Sequence, residues 1–223
     1  MTRDDFKTLV ASMVRDPDGH LSDEEQETAI DLALTRYDQD DPKIQPIDVT
    51  APGGKTMDPP AEYVPGFSQL RDVETPPDQV PPRTLARSAF TIYTAPLGDK
   101  ILFASDLSAG EAVRLHMTVP HTMDETGSTV PRQRIEAVAC WAAALLLDQL
   151  ASLFSGDMMP TIQSDSVDHQ SKSRDYSIRA SERRNRYFKE LGIDPKRNAA
   201  AGVVVALTRP SATDRAKTFL KGI

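Results

Sequence analysis

The sequence predicts an α+β protein: a mainly α-helical bundle of two N-terminal and two long C-terminal helices, with an inserted small antiparallel β-domain and an extended C-terminal arm. Three observations carry that prediction. "RQRIEAVACWAAALLLDQLASLFSG" has no charged or amide-bearing residue from Ala137 to Leu147, so it reads as a helix enclosed by protein. "SDSVDHQSKSRDYSIRASERRNRYFKELG" follows at once and reads as an equally long helix that is almost wholly polar. Between Lys43 and Met123 the chain instead shows short runs rich in β-branched and aromatic residues, punctuated by proline. The expected units are therefore residues 1–42 (helix pair), 43–123 (β-rich insert), 124–192 (long helices) and 193–223 (arm).

The first helix is expected from about Asp4 to Arg15, where Phe6, Leu9, Val10, Met13 and Val14 fall at helical spacing. It stops at "DPDG". Ser22 and Glu25 then form the S-x-x-E capping box, in which each side chain satisfies an otherwise orphaned backbone donor, and so start a second helix. Ala29, Ile30, Ala33, Leu34 and Tyr37 make its apolar face, and Pro42 closes it.

In the insert, "IDVTAPGGKTM" reads as a strand, a Gly53-Gly54 turn and a second strand. "QLRDVET" is another strand. "AFTIYTAPLGDKILFAS" is a hairpin turning through Pro96 to Asp99, and "EAVRLHMTV" is the strand after Gly110. The prolines of "TPPDQVPPRT" make that stretch a loop or edge crossing. About four to six strands are expected in all.

The polar C-terminal helix offers only Val167, Ile178, Tyr187, Phe188 and Leu191 as sizeable apolar groups, too few for a continuous stripe. Ordering a chain costs roughly 1.5 kcal/mol per residue, so neighbouring subunits or an anionic ligand are expected to support this helix. Gly192 stands where a C-cap glycine should. Beyond it, "VVVAL" reads as a strand without a partner in adjacent sequence, an arm that docks on something else.

At 223 residues the chain can bury a real core. A single cysteine, Cys140, excludes an intrachain disulfide and fits a reducing compartment. No signal peptide is seen at the N-terminus, and the longest apolar run is shorter than the roughly 20 residues of a membrane span. A soluble, intracellular protein without membrane contact is expected. The net charge of -7 conceals a division: residues 172–223 hold 13 Lys and Arg against 5 Asp and Glu (+8), residues 1–171 hold 13 against 28 (-15). Such a dipole suits subunits stacked sign to sign, or a ring with a basic surface toward nucleic acid or an acidic partner.

Candidate chemistry is sparse. "VRDPDGHLSDEE" places Asp16, Asp18, Leu21, Ser22 and Glu25 around Gly19 as a calcium loop would, but Val14 stands at the obligatory first carboxylate and Pro17 stiffens the loop. The capping box explains the same letters. His20, His116, His121 and His169 are scattered without zinc spacing. Asp165, Asp168 and His169 sit within one turn, where acidic residues complement a helix N-terminus. No nucleophile elbow, phosphate loop or dinucleotide motif occurs, so neither an enzyme nor a cofactor or metal site is expected. Arg179, Arg183 and Arg186 recur at helical spacing, with Arg184 and Lys189 beside them. That basic stripe could track DNA phosphates without reading sequence, or pair with carboxylates of an adjacent subunit.

Taken in order, "LSDEEQETAIDLALTRYDQDDP", "VPGFSQLRDVE", "VPRQRIEAVACWAAALLLDQLAS" and "TIQSDSVDHQSKSRDYSIRASERRNRYFKELGIDPKR" resemble head-to-tail connector, or adaptor, proteins of tailed bacteriophages and prophages. The likeness is one of helices and their order. Short members of the family have little between the N-terminal and C-terminal helices, whereas here residues 43–123 intervene. The resemblance implies a structural virion protein of the neck, assembled in the host cytoplasm: a ring of subunits, commonly twelve, that docks under the portal protein, extends the DNA channel and offers a platform for the next neck or tail connector. It implies that Val203, Val204, Val205, Leu207, Arg209, Arg215 and Lys217 dock on the portal, and that Arg179, Arg183, Arg184 and Arg186 face channel DNA or a neighbouring subunit. The alternatives are a nonspecific DNA-binding oligomer and an EF-hand-like calcium-binding module.

Overall fold

The computed structural model describes residues 1–155 and 169–195. The described chain is mixed helix and sheet, of the α+β class, with four α-helices and two three-stranded antiparallel sheets. It divides into a unit from Met1 to Gly192 and a second from Ile193 to Ile223, and of the second only residues 193–195 are within the described range.

Helix α1 (Arg3–Val14) begins one residue earlier than expected because Thr2 caps it. The Thr2 hydroxyl accepts from the Asp5 amide at 3.2 Å and the Asp5 carboxylate accepts from the Thr2 amide at 3.1 Å, a reciprocal box formed by a Thr and an Asp. Arg15 ends it in the left-handed region, φ 55°. Helix α2 (Asp23–Asp40) starts at the expected box, with Ser22 Oγ accepting from the Glu25 amide at 3.2 Å and Glu25 Oε2 from the Ser22 amide at 2.7 Å.

Six strands follow: β1 (Lys43–Thr50), β2 (Gly54–Met57), β3 (Leu70–Glu74), β4 (Phe90–Ala95), β5 (Gly98–Leu107) and β6 (Ala112–Val119). One sheet has the order β1-β6-β3, the other β2-β5-β4. The hairpin at Pro96 is present, Ala95 pairing with Gly98 across a two-residue turn. The Gly53-Gly54 stretch requires correction as a hairpin turn: β1 and β2 flank it but belong to different sheets, β1 pairing with β6 and β2 with β5. The glycines, at φ 96° and 84°, turn the chain from one sheet to the other. β1 also starts earlier than expected and runs through Pro46, which an edge strand tolerates because one side of its backbone has no partner to lose.

Two hydrophobic cores result. Val73, Leu115 and Met117 of one sheet meet Phe90, Ile101 and Phe103 of the other to form a closed sandwich interior. A separate core joins Phe6 and Val10 of α1, Ile30 and Tyr37 of α2, Leu146, Leu147 and Leu150 of α3 (Ile135–Ser155), and Ala180 and Tyr187 of α4 (His169–Leu191). α3 packs on α1, α2 and α4. The segment Arg132–Ser155 is by length and composition long and apolar enough to cross a membrane, contrary to the expectation that no run approaches that size. Its residues Ala137 to Cys140 and Ala142 to Ala144 are wholly buried by protein, as in a core helix.

Candidate functional site

The face of α4 that meets α3 is the best-defined assembly of polar side chains in the helical region, and it changes the reading of the basic stripe. α4 does not wait for a neighbour or an anion to hold it; its own chain does so along its length. Near its start, the Ser173 hydroxyl donates to the Ala151 carbonyl at 2.8 Å, and Tyr176 stacks on Phe154 at 5.6 Å between centroids, with the rings only 12° from parallel. In the middle, Ala180 is wholly buried and lets the helices approach. Toward its end, Tyr187 is wholly buried against Trp141 at 4.8 Å and donates to Asp40 Oδ2 at 2.6 Å. Arg36 closes that network, donating to both Asp40 oxygens at 2.8 and 3.1 Å while lying 5.2 Å over the Trp141 ring. Burial pushes the Tyr187 phenol far above its usual pKa, with the neighbouring Asp40 carboxylate adding to the shift.

The arginines serve the same attachment. Arg179 donates through Nη2 to the Val14 carbonyl at 2.6 Å, and at 3.4 Å to that of Met13, placing a cation on the carbonyl end of α1. Arg184 pairs with Asp148, and Arg186 with Glu136, both on α3. The charge of Arg183 partly opposes the burial that raises the Cys140 pKa. Arg179 and Arg184 are thus turned toward their own subunit, half-exposed Arg186 reaches back to it, and the carboxylates that Arg184 and Arg186 pair with belong to the same chain. Arg134, ahead of α3, donates to the Glu190 carbonyl at the far end of α4. Gly192 sits at φ 71° just past that end, in the capping role expected of it.

What remains outward on α4 is a mixed polar face: Lys172, Arg174, Asp175, Ile178, Ser181, Glu182, Asn185, Lys189 and Glu190 are exposed, and Arg186 keeps 46 % of its side chain accessible. The exposed charged side chains of α2, Asp23, Glu24, Glu25 and Asp31, are acidic, but Asp31 and Asp23 are paired with Arg3 and Lys7 of α1. Leu32 stands 53 % exposed among them. An open groove of about 700 Å³ lies between Leu9 and Met13 of α1 and Val130, Arg132 and Ile135 ahead of and within α3.

The letters of the calcium-loop alternative form a capped turn. Val14 is buried in the helical core, Glu25 is taken up by Ser22, and Asp16 Oδ2 accepts from the Leu21 amide at 2.9 Å, so these letters build a helix–turn–helix junction. Among the described residues no three His, Cys, Asp or Glu side chains converge as a metal site would. His116 contacts Glu74 at 2.7 Å in the β-sandwich. The His121 amide donates to the buried Asp38 at 2.7 Å, an attachment of the strand exit to α2, and burial raises the Asp38 pKa. Cys140 is buried and its pKa is raised by that burial, the opposite of an activated thiol. Asp165 and Asp168, the His169 side chain, and Val203, Val204, Val205, Leu207, Arg209, Arg215 and Lys217 lie outside what the described residues show.

No sequence motif singles out Arg36, Asp40 and Trp141. Their signal was weak but present: Arg36 and Asp40 stand at i,i+4 on α2, and Trp141 is the only tryptophan. Compared with known proteins, the chain matches no protein-family model and no curated protein.

Proposed function

We propose that the chain is a structural head-to-tail adaptor of a tailed phage or prophage, a subunit of a ring that docks under the portal protein, continues the DNA channel and receives the next neck or tail connector. One observation supports the reading beyond the resemblance: a largely apolar core helix holds a long polar helix on its flank through buried aromatic contacts and ion pairs, so α4 presents a charged outer face. A ring subunit needs such a face to meet its neighbour at a constant angle. On this reading the helices form the bundle of the ring wall, residues 193–223 are the arm that grips the portal, and DNA passes through without sequence-specific contact. The inward arginines anchor α4 rather than track phosphates, which disfavours the DNA-binding alternative. The β-sandwich would stand as a module outside the bundle, available to the head exterior or the next component.

The test is retention on an affinity-tagged portal protein from the same genome. The full chain should be retained, and a chain ending at Lys196 should fold, by its helical circular dichroism, yet be lost. Failure to retain the full chain sinks the adaptor reading, and retention of the truncated chain sinks the arm assignment alone.

A further inference from the structure

We infer that the sandwich pairs two copies of this chain edge to edge, β4 of one copy lying antiparallel to β4 of the other with Tyr93 facing Tyr93 across a two-fold axis. The two sheets leave β1, β3, β2 and β4 as outer strands, and an unpaired edge is a template for another strand unless something blunts it. Three of them are blunted. β1 carries Pro46 and the charges of Lys43 and Asp48. β2 is four residues long, and its register breaks between Gly54 and Thr56. β3 breaks register between Leu70 and Asp72 and is covered by its own chain, the Leu85 amide donating to the Val73 carbonyl at 2.8 Å and Arg87 Nη1 to the Arg71 carbonyl at 2.9 Å. β4, with the sequence FTIYTA, has none of these devices. Its register with β5 is unbroken, it holds no proline, and residues 88–98 carry no charge.

The hairpin fixes which groups face outward. Ala95 and Gly98 close a two-residue turn and so form a hydrogen-bonded pair, as do Tyr93 with Lys100 and Thr91 with Leu102 further back. The amides and carbonyls of Ile92 and Thr94 therefore point away from β5. Among the described residues neither amide has a partner, and the Ile92 carbonyl meets only the Thr91 hydroxyl, at 3.3 Å. A second β4 satisfies these groups with the same groups of its own. Set antiparallel, Ile92 of each copy exchanges both backbone hydrogen bonds with Thr94 of the other, and Tyr93 falls opposite Tyr93 as a non-hydrogen-bonded pair, the closer of the two kinds. Tyr93 is 52 % exposed, and an aromatic pair directly opposite on one face stabilises such a ladder. A strand without charge also meets its own copy without setting like charges against each other. The contact is isologous, and with β2 blunted at the far edge the joined sheet stops at two copies instead of growing. The sandwich has its own core, so the inference stands apart from the adaptor reading.

Cysteine cross-linking and sedimentation of the full chain test it. Tyr93→Cys puts two thiols at the closest pair, where a backbone separation of about 4.5 Å suits a disulfide. Mild oxidation should give a covalent dimer and nothing larger. Leu97→Cys is the control: at the hairpin tip it is 97 % exposed, more than Tyr93, yet the pairing sets Leu97 opposite Ala89 and far from its own copy, so it should stay monomeric. The native Cys140 is buried. The parent chain should sediment as a concentration-dependent dimer, and Tyr93→Lys, at a half-exposed position outside the core, should weaken that dimer by about tenfold or more. Tyr93→Cys linking no faster than Leu97→Cys overturns the inference. So does a parent chain that is monomeric at every concentration, which would leave the edge to a strand of another protein, and so does a dimer unmoved by Tyr93→Lys, which would place the contact elsewhere.

Discussion

Removing the Arg179 guanidinium strips the last turn of α1 of its hydrogen bonds from α4, at the Met13 and Val14 carbonyls. Arg179→Ala should therefore lower the unfolding free energy by about 1–2 kcal/mol in urea titration, because charge-assisted hydrogen bonds of partly buried groups are lost. A channel residue turned to solvent would instead leave stability within about 0.5 kcal/mol of the parent. Glu27 offers a pH-dependent counterpart. Its carboxylate is held below the usual 4.5 mainly by the hydrogen bond from Arg3, with Lys7 also contributing. Its folded-state pKa is depressed, so its contribution is present above that ordinary value and is lost as pH falls through the folded one. Glu27→Gln should cost under about 1 kcal/mol at neutral pH, as a partly exposed pair does, and should flatten the acid limb of the stability curve below pH 4.5. At this scale capping was readable from the letters, Ser22 and Glu25 above all. The destination of a long charged side chain was not, because an arginine at a helical position looks the same whether it meets water, a phosphate or the end of a neighbouring helix.

The elements differ most from expectation at α4. Counting large apolar side chains points to a helix in need of outside support, whereas the helix rests on Tyr176, Ala180 and Tyr187, on a serine hydroxyl, and on arginine head groups paired with carboxylates of α3. Tyr187→Ala should cost about 3–5 kcal/mol by emptying a filled core site, and Ile178→Ala should stay within about 0.5 kcal/mol of the parent because it faces outward; paired thermal melts check both. The strands show a different limit. Alternation and turn residues located β3, the β4–β5 hairpin and β6, but local sequence carries no record of which distant strand pairs with which. The Gly53-Gly54 turn therefore suggested adjacent pairing where the chain in fact changes sheets.

Among the described residues there are two hydrophobic cores, one in the helices and one in the sandwich. β1 begins where β6 ends, Lys43 pairing with Val119, so the sandwich leaves and rejoins the helices at one place, as an inserted domain does. Residues 43–119 expressed alone should give a sheet-type circular dichroism spectrum and a cooperative melt; a random-coil spectrum would show that the sandwich depends on the helices. The change in composition after Lys43 was legible, but the strands it marks end at Val119 and Met123 packs in the helical core, and the division into two sheets was not legible, because it depends on long-range pairing. The account as a whole is tested most directly by electron microscopy of this chain co-expressed with the portal protein of its own genome and purified through a tag on the portal. The adaptor reading predicts a second ring stacked beneath the portal with its channel in line. A well-formed portal ring with this chain absent, recovered instead as a free monomer, would contradict it.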